Sequence, residues 1–170
     1  MHLEDAVTAL LRVRDKDKTY PPQENEASRE AFAAWLLEEE TLIRFSALVD
    51  GQFAGHVSIV KAHDYLENHL SLQGYVTKSE NGFAEIGKFF VDPLHRKHGL
   101  GHALFEQIRH DAFSAGYQPA LAVVDTSEDA IRFYRKAGMH ELGYFNGFHG
   151  KNLIFAYDMP EQKYLVPRSL

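Results

Sequence analysis

The sequence predicts an α/β fold: one mixed, mostly antiparallel sheet with helices on both faces. Three observations predict it. Leu3–Arg14 and Ser28–Glu39 carry apolar residues at helical spacing. Thr41–Val49 and Phe53–Val60 are strand-like runs joined by Asp50-Gly51, the preferred composition of a two-residue type I′ hairpin turn. After them a strand, Phe83–Val91, leads through a glycine-bearing loop into a helix and on to a short apolar strand, Pro119–Val124. That order gives one parallel step across the helix, with a right-handed crossover. A chain of 170 residues holds one domain with a core and is too short for two ordinary ones, so residues 1–160 are assigned to a single domain.

Each element has its reason. In the first helix Val7, Leu10 and Leu11 share a side; in the second, Phe32, Trp35 and Leu36 face inward, and Trp35 at helical spacing reads as core. Asp15–Glu26 between them is charged and holds Pro21-Pro22, so it is a loop. Ala62–Gly82 is polar, ends in Asn81-Gly82, and is long for a hairpin connection. It carries His63, Asp64, Tyr65, His69 and Tyr75, and reads equally as the rim of a binding pocket and as a solvated loop with a short helix. In Phe83–Val91 the residues Ile86, Phe89, Phe90 and Val91 are β-formers, and Asp92-Pro93 stops the run. Leu104, Phe105, Ile108 and Ala112 form the stripe of the next helix, which Gly116 ends. Thr126 is placed to cap the following helix, with Asp129 at its third position, and Gly138 closes it. Met139–Phe145 and Asn152–Tyr157 are predicted strands joined by a turn rich in Asn and Gly. Leu165-Val166-Pro167-Arg168 resembles a thrombin-cleavage sequence of the kind left by cloning, so residues 161–170 are set aside as a tail.

Composition removes several functions. With no cysteine there is no disulfide framework, thiol nucleophile or thiolate metal site. A net charge of −6 argues against a nucleic-acid binder, although Arg96, Lys97, Arg109, Arg132, Arg135 and Lys136 would supply a local basic set. No apolar run approaches the roughly 20 residues of a membrane span, and no signal peptide is visible, so a cytoplasmic protein without membrane partners is expected. His98 and His102 are four apart on a helix, but no acidic neighbour completes a third ligand, and no metal is expected. A serine nucleophile lacks its G-x-S-x-G elbow.

What remains is the stretch Arg96-Lys97-His98-Gly99-Leu100-Gly101, between the central strand and its helix. The N–H groups of a helix's first turn have no partner within the helix and carry the positive end of its dipole. Glycines allow close approach of a ligand, and two basic side chains add charge. Strand, basic glycine loop and helix start together make a phosphate site. It is not a Walker loop, since His102 and Ala103 follow Gly101, nor a dinucleotide fingerprint, which needs glycine where Leu104 stands. The string V-x-P-x-x-R-x-x-G-x-G resembles the acyl-CoA loop of the GNAT superfamily of N-acetyltransferases. Ala130-Ile131-Arg132-Phe133-Tyr134-Arg135-Lys136-Ala137-Gly138-Met139 resembles that family's A-x-x-F-Y-x-x-x-G-F segment.

The resemblance implies a GNAT-like sheet whose two central strands, Phe83–Val91 and Pro119–Val124, splay apart to admit coenzyme A. It implies acetyl-CoA as co-substrate and a primary amine of a small molecule or peptide as acceptor; a homodimer is compatible with it. The loop Arg96, Lys97, His98, Gly99, Leu100, Gly101 and His102 would hold the pyrophosphate. A backbone N–H near the end of the central strand, at Phe90 or Val91, would polarise the thioester carbonyl. Glu85 stands where several members carry a general-base glutamate, and Tyr134 matches the general acid. Two departures are visible. Asp129 replaces an asparagine common in the family, leaving one polar cofactor contact open, and the strand that usually precedes the first helix is missing. An acyl-CoA-binding regulatory domain without catalysis is the alternative these departures support.

Overall fold

The computed structural model of the chain describes residues 2–18, 20, 28–37, 41–147 and 150–158. The elements are α1 (Leu3–Asp17), α2 (Arg29–Leu37), β1 (Thr41–Val49), β2 (Gln52–Lys61), α3 (Asp64–Leu72), β3 (Phe83–Val91), α4 (Leu100–Ser114), β4 (Gln118–Val124), α5 (Glu128–Lys136), β5 (His140–Gly147) and β6 (Gly150–Ala156), with a single 3-10 turn at Pro93–His95. The strands form one sheet in the order β1-β2-β3-β4-β6-β5. Every neighbouring pair is antiparallel except β3 with β4. The mixed α/β architecture follows the sequence reading. The 161–170 tail, most of the Asp15–Glu26 loop and the tip of the β5–β6 turn lie outside the described residues.

Three buried clusters fix the layers. Leu104, Phe105, Ile108 and Ala112 of α4 and Ile131 of α5 pack on Val57, Ile59, Ala84 and Ile86 of the sheet. On the other face α1 and α2 bury Val7, Leu10, Val13, Phe32 and Leu36 against Phe53 and Phe90. Farther along that face Leu66 and Leu70 of α3 pack with Phe83, Ala120 and Ile154. Along β3, alternation puts Ala84 and Ile86 toward α4 and Phe83 on the opposite face, and the irregular register between Gly87 and Phe90 carries Phe90 to that opposite face as well.

One local expectation is met and another changes. The polar stretch after β2 contains the short helix that one of its two readings included, α3, anchored by Leu66 and Leu70 one turn apart. Thr126 does not cap α5: Ser127 occupies the N-cap without a side-chain hydrogen bond, and Asp129 is the second helical residue. The chain reaches α5 through the turn Asp125-Thr126, so the cap falls one residue later than the S/T-x-x-D pattern places it. Among the described residues no strand precedes α1, and no helix is long and apolar enough to cross a membrane.

Candidate active site

The parallel pairing of β3 with β4 covers three residue pairs, Phe83↔Gln118, Ala84↔Pro119 and Glu85↔Ala120. Beyond Glu85 the strands part. β4 continues with β6 as far as Val124↔Asn152, and β3 continues with β2 as far as Val91↔Gly55. A bulge in β3 accompanies the parting: between Gly87↔Ser58 and Phe90↔His56, three steps of β3 face two of β2. Lys88, within it, has a left-handed backbone at φ 50. A bulge of this kind bends its strand and sharpens the local twist, turning the end of β3 away from β4. Backbone groups of β3 that β4 would have satisfied therefore have no strand partner there.

A cavity of about 990 Å³ opens at this divergence. Phe89, Phe90 and Val91 form one wall and Ala122, Val123 and Val124 the other; Phe133 and Tyr134 of α5 reach into it. Its mouth is the start of α4. Ala103 N–H closes the first helical turn on Gly99 O, so the N–H groups of Leu100, Gly101 and His102 lie ahead of the helical ladder. Gly99, at φ 77, turns the chain into the helix. A Cβ on Gly101 would meet the side chains of Phe89 and Val91 at 3.4 Å and Phe133 at 3.8 Å, so the helix start lies directly against the cavity wall.

Of the residues singled out in the sequence, Phe90, Val91, Arg96, Lys97, Gly99, Leu100, Gly101, His102, Asp129 and Tyr134 line this one cavity. His98 is exposed and outside the lining. Arg96 is already engaged. It donates to Val91 O at 3.1 Å and holds both carboxylate oxygens of Asp17 at 3.0 and 2.7 Å. Asp129 points to solvent, its side chain 100% exposed and 3.3 Å from Arg132. Tyr134 sits among Phe105, Phe133 and Phe155, ring centroids 5.5 to 6.2 Å away, and burial pushes its phenol up to about 12.

Glu85 is elsewhere. It projects from the opposite face of β3, where the parallel pairing ends, and its side chain is 13% exposed. His63 Nδ1 lies 2.8 Å from Oε2, and Tyr65 donates its hydroxyl to Oε1 at 2.5 Å. The structure thus separates the two predicted groups: a cavity at the parting of β3 and β4, and a carboxylate held by α3 residues outside its lining.

Residues 10–139 match the family model described as Acetyltransferase (GNAT) family. The chain belongs to the GNAT acetyltransferase family. Solved structures share the fold. Arabidopsis thaliana NAA60 in complex with acetyl-CoA superposes with a TM-score of 0.60 at 19% identity, over 88% of this chain and 93% of that one. Aminoglycoside 6'-acetyltransferase type Ii gives 0.63 at 17% identity, over 93% and 90%. PH1933 from Pyrococcus horikoshii OT3 gives 0.65 at 17% identity, over 92% of each chain. No curated protein matches.

The cavity includes groups the sequence did not announce. Lys16, Asp17 and Tyr20 bring the end of α1 to the cavity, and Asn152 enters from β6. Burial raises the Tyr20 phenol well above its ordinary value, with Tyr134 contributing. These residues lie far from the loop in sequence and belong to no local motif; the charged end of α1 was the only available signal. Among the described residues no group of three or more His, Asp or Glu side chains is placed to hold a metal ion.

Proposed function

We propose that the chain transfers an acetyl group from acetyl-CoA to a primary amine of a small molecule or peptide, by direct attack within a ternary complex. The observation that carries this reading is the gap between β3 and β4 over the α4 helix start. A helix start suited to phosphate lies at one end of an apolar slot, and the end of β3, beyond its pairing with β4, at the other. Leu100, Gly101 and His102 would hold the pyrophosphate through their N–H groups, and Lys97 would add charge. The slot between Phe89–Val91 and Ala122–Val124 suits the uncharged pantetheine arm. An N–H at Phe90 or Val91 would stabilise negative charge on the thioester oxygen.

The amine approaches from the Glu85 side. A C–N bond forms, the C–S bond breaks, the amine's proton leaves toward the Glu85 carboxylate, and Tyr134 offers a hydrogen bond to the departing sulfur. NAA60 is also solved with a bisubstrate analogue, which supports direct transfer as the reading to test. A cytoplasmic location is proposed with it.

The test combines binding and turnover. Acetyl-CoA should raise the melting temperature, because it binds the folded chain alone. Free thiol should then appear when acetyl-CoA is offered with a panel of diamines, aminoglycosides, lysine peptides and peptides with free N-termini. Stabilisation without thiol release from any of them would leave a binding module in place of an enzyme. No stabilisation by acetyl-CoA at millimolar concentration would remove the coenzyme A reading altogether.

A further inference from the structure

We infer that Asp17 is a positioning residue for the loop that would hold coenzyme A, and that it acts through Arg96, whose guanidinium is a strut of the loop and not a ligand of the phosphates; this rests on the coenzyme A reading above. Asp17 is the last residue of α1, where the negative end of the helix dipole disfavours a carboxylate. A residue in conflict with its own element often serves a site elsewhere. Here the service is visible. Both carboxylate oxygens accept from Arg96, Oδ1 from Nη1 at 3.0 Å and Oδ2 from Nη2 at 2.7 Å. Arg96 Nε donates to Val91 O at 3.1 Å. The planar fork is therefore tied to α1 along one edge and to the end of β3 along another.

This clasp is one of two. Five residues earlier on α1, about 7.5 Å along the helix, Arg12 Nε lies 3.0 Å from each oxygen of Asp92. The two pairs have opposite polarity: Arg12 and Asp17 of α1 meet Asp92 and Arg96 at the start of the loop. Any seating that exchanged the partners would set like charges together, so the pairs select one position of the loop on α1. What they hold is a strained turn. Lys97, directly after Arg96, has a left-handed backbone at φ 70, and Gly99 follows at φ 77. Such a conformation persists at a non-glycine residue only where its surroundings over-determine it. The N–H groups of Leu100, Gly101 and His102 come next, so their aim follows from how the clasped residue is held. Asp17 itself lines the cavity, and a carboxylate there cannot bind an anion directly. Two roles remain for it, with opposite signs. As a strut it strengthens phosphate binding; as a placeholder that the phosphates displace from Arg96 it weakens it. The second hydrogen bond of Arg96, to Val91 O, and the matching Arg12–Asp92 pair favour the strut.

The test uses the full chain and measures the Kd of coenzyme A by calorimetry, with acetyl-CoA kinetics on whichever amine of the panel is acetylated. Asp17→Asn should raise the Kd of coenzyme A and the KM of acetyl-CoA by about 10-fold and leave kcat at saturation within about 2-fold of wild type. Arg96→Gln should do the same, and the double variant should bind no more weakly than the worse single one. The exchanged pair, Asp17→Arg with Arg96→Asp, should bind better than either of its single changes. Independently of any substitution, NMR of the wild type should show the Arg96 Nε–H protected from solvent exchange and little shifted when coenzyme A saturates the site. Unchanged or tighter coenzyme A binding by Asp17→Asn, or loss of the Arg96 Nε–H protection on binding, would overturn the assignment and make Asp17 a placeholder. An Arg96→Gln loss about 10-fold greater than that of Asp17→Asn would overturn it by making Arg96 a phosphate ligand. Wild-type chain that does not bind coenzyme A at millimolar concentration would overturn the coenzyme A reading and the strut with it. Failure of acetyl transfer shows separately, as absence of thiol release, and leaves the comparison of Kd values standing.

Discussion

Burial alters what Tyr134 could offer to the proposed reaction. A phenol pushed up to about 12 stays protonated across the working range, but it gives its proton reluctantly to a thiolate of pKa ~8.5. In the proposed transfer its contribution would be a hydrogen bond that strengthens as charge develops on sulfur. Tyr134→Phe keeps the ring contacts with Phe105 and Phe155 and removes only that donor. The expected outcome is a 10- to 10²-fold fall in kcat with acetyl-CoA affinity changed little, read from steady-state kinetics and a binding titration. A purely structural tyrosine would give normal kcat and a lower melting temperature. The motif around Tyr134 was legible because its spacing is local. The partners of Glu85 were not: His63 and Tyr65 stand 22 and 20 residues away, in a segment whose polar surface hides its fold. Nor was the capture of Arg96 by Asp17, a contact spanning 79 positions.

At the scale of elements, α1 is pinned to the end of β3 by an ion pair. Asp92 is completely buried, accepts from Leu94 N–H at 3.0 Å, and is clasped by Nε and Nη2 of Arg12. The two partners are unequal, because the Arg12 side chain is 39% exposed and that of Asp92 0%. Arg12→Met strands a buried carboxylate and should destabilise by about 3 kcal/mol. Asp92→Asn leaves an arginine able to reach water and should cost about 1 kcal/mol. Chemical denaturation of both variants checks the order; equal losses would mean that Asp92 is rescued by another donor. Most elements were readable from spacing: the β1–β2 hairpin, the central strand and α4 fall within a residue or so of their expected bounds. α3 was expected only as a short helix without bounds, since nine residues with two buried leucines give too short a period to stand out in a polar run.

For the whole molecule, the mixed sheet with one parallel step followed from the order of elements, while the seating of β6 between β4 and β5 was not foreseen and the depth of the gap depended on a bulge that no sequence rule locates. Stability should carry a pH signature from one buried histidine. His56 of β2 is completely buried, 3.2 Å from the Ser46 hydroxyl and beside Phe90. Desolvation first, then Arg44, Lys88 and the N-terminus, lower it to about 4. The unfolded chain binds a proton there near 6.5 and the folded chain does not, so this stability is complete above pH 6.5 and fades as pH falls toward 4. The loss should be on the order of 3 kcal/mol. Urea midpoints measured from pH 7 to 4 should fall more steeply for wild type than for His56→Gln; parallel curves would show that the folded protein accommodates the charged ring.

The three-pair limit on β3–β4 contact also has a kinetic reading. Amides locked in a ladder exchange with solvent only when the ladder opens, whereas those on an interior edge are sheltered by nothing but the depth of the slot. Deuterium should therefore enter Phe89–Val91, on the β4 side, far sooner than Phe83–Glu85 of the same strand. Acetyl-CoA should slow that uptake more than uptake anywhere in β1, because the bound arm would stand where a neighbouring strand does elsewhere. On this view the co-substrate acts as a removable strand, and the order of labelling along β3, with and without it, measures how far it completes the sheet.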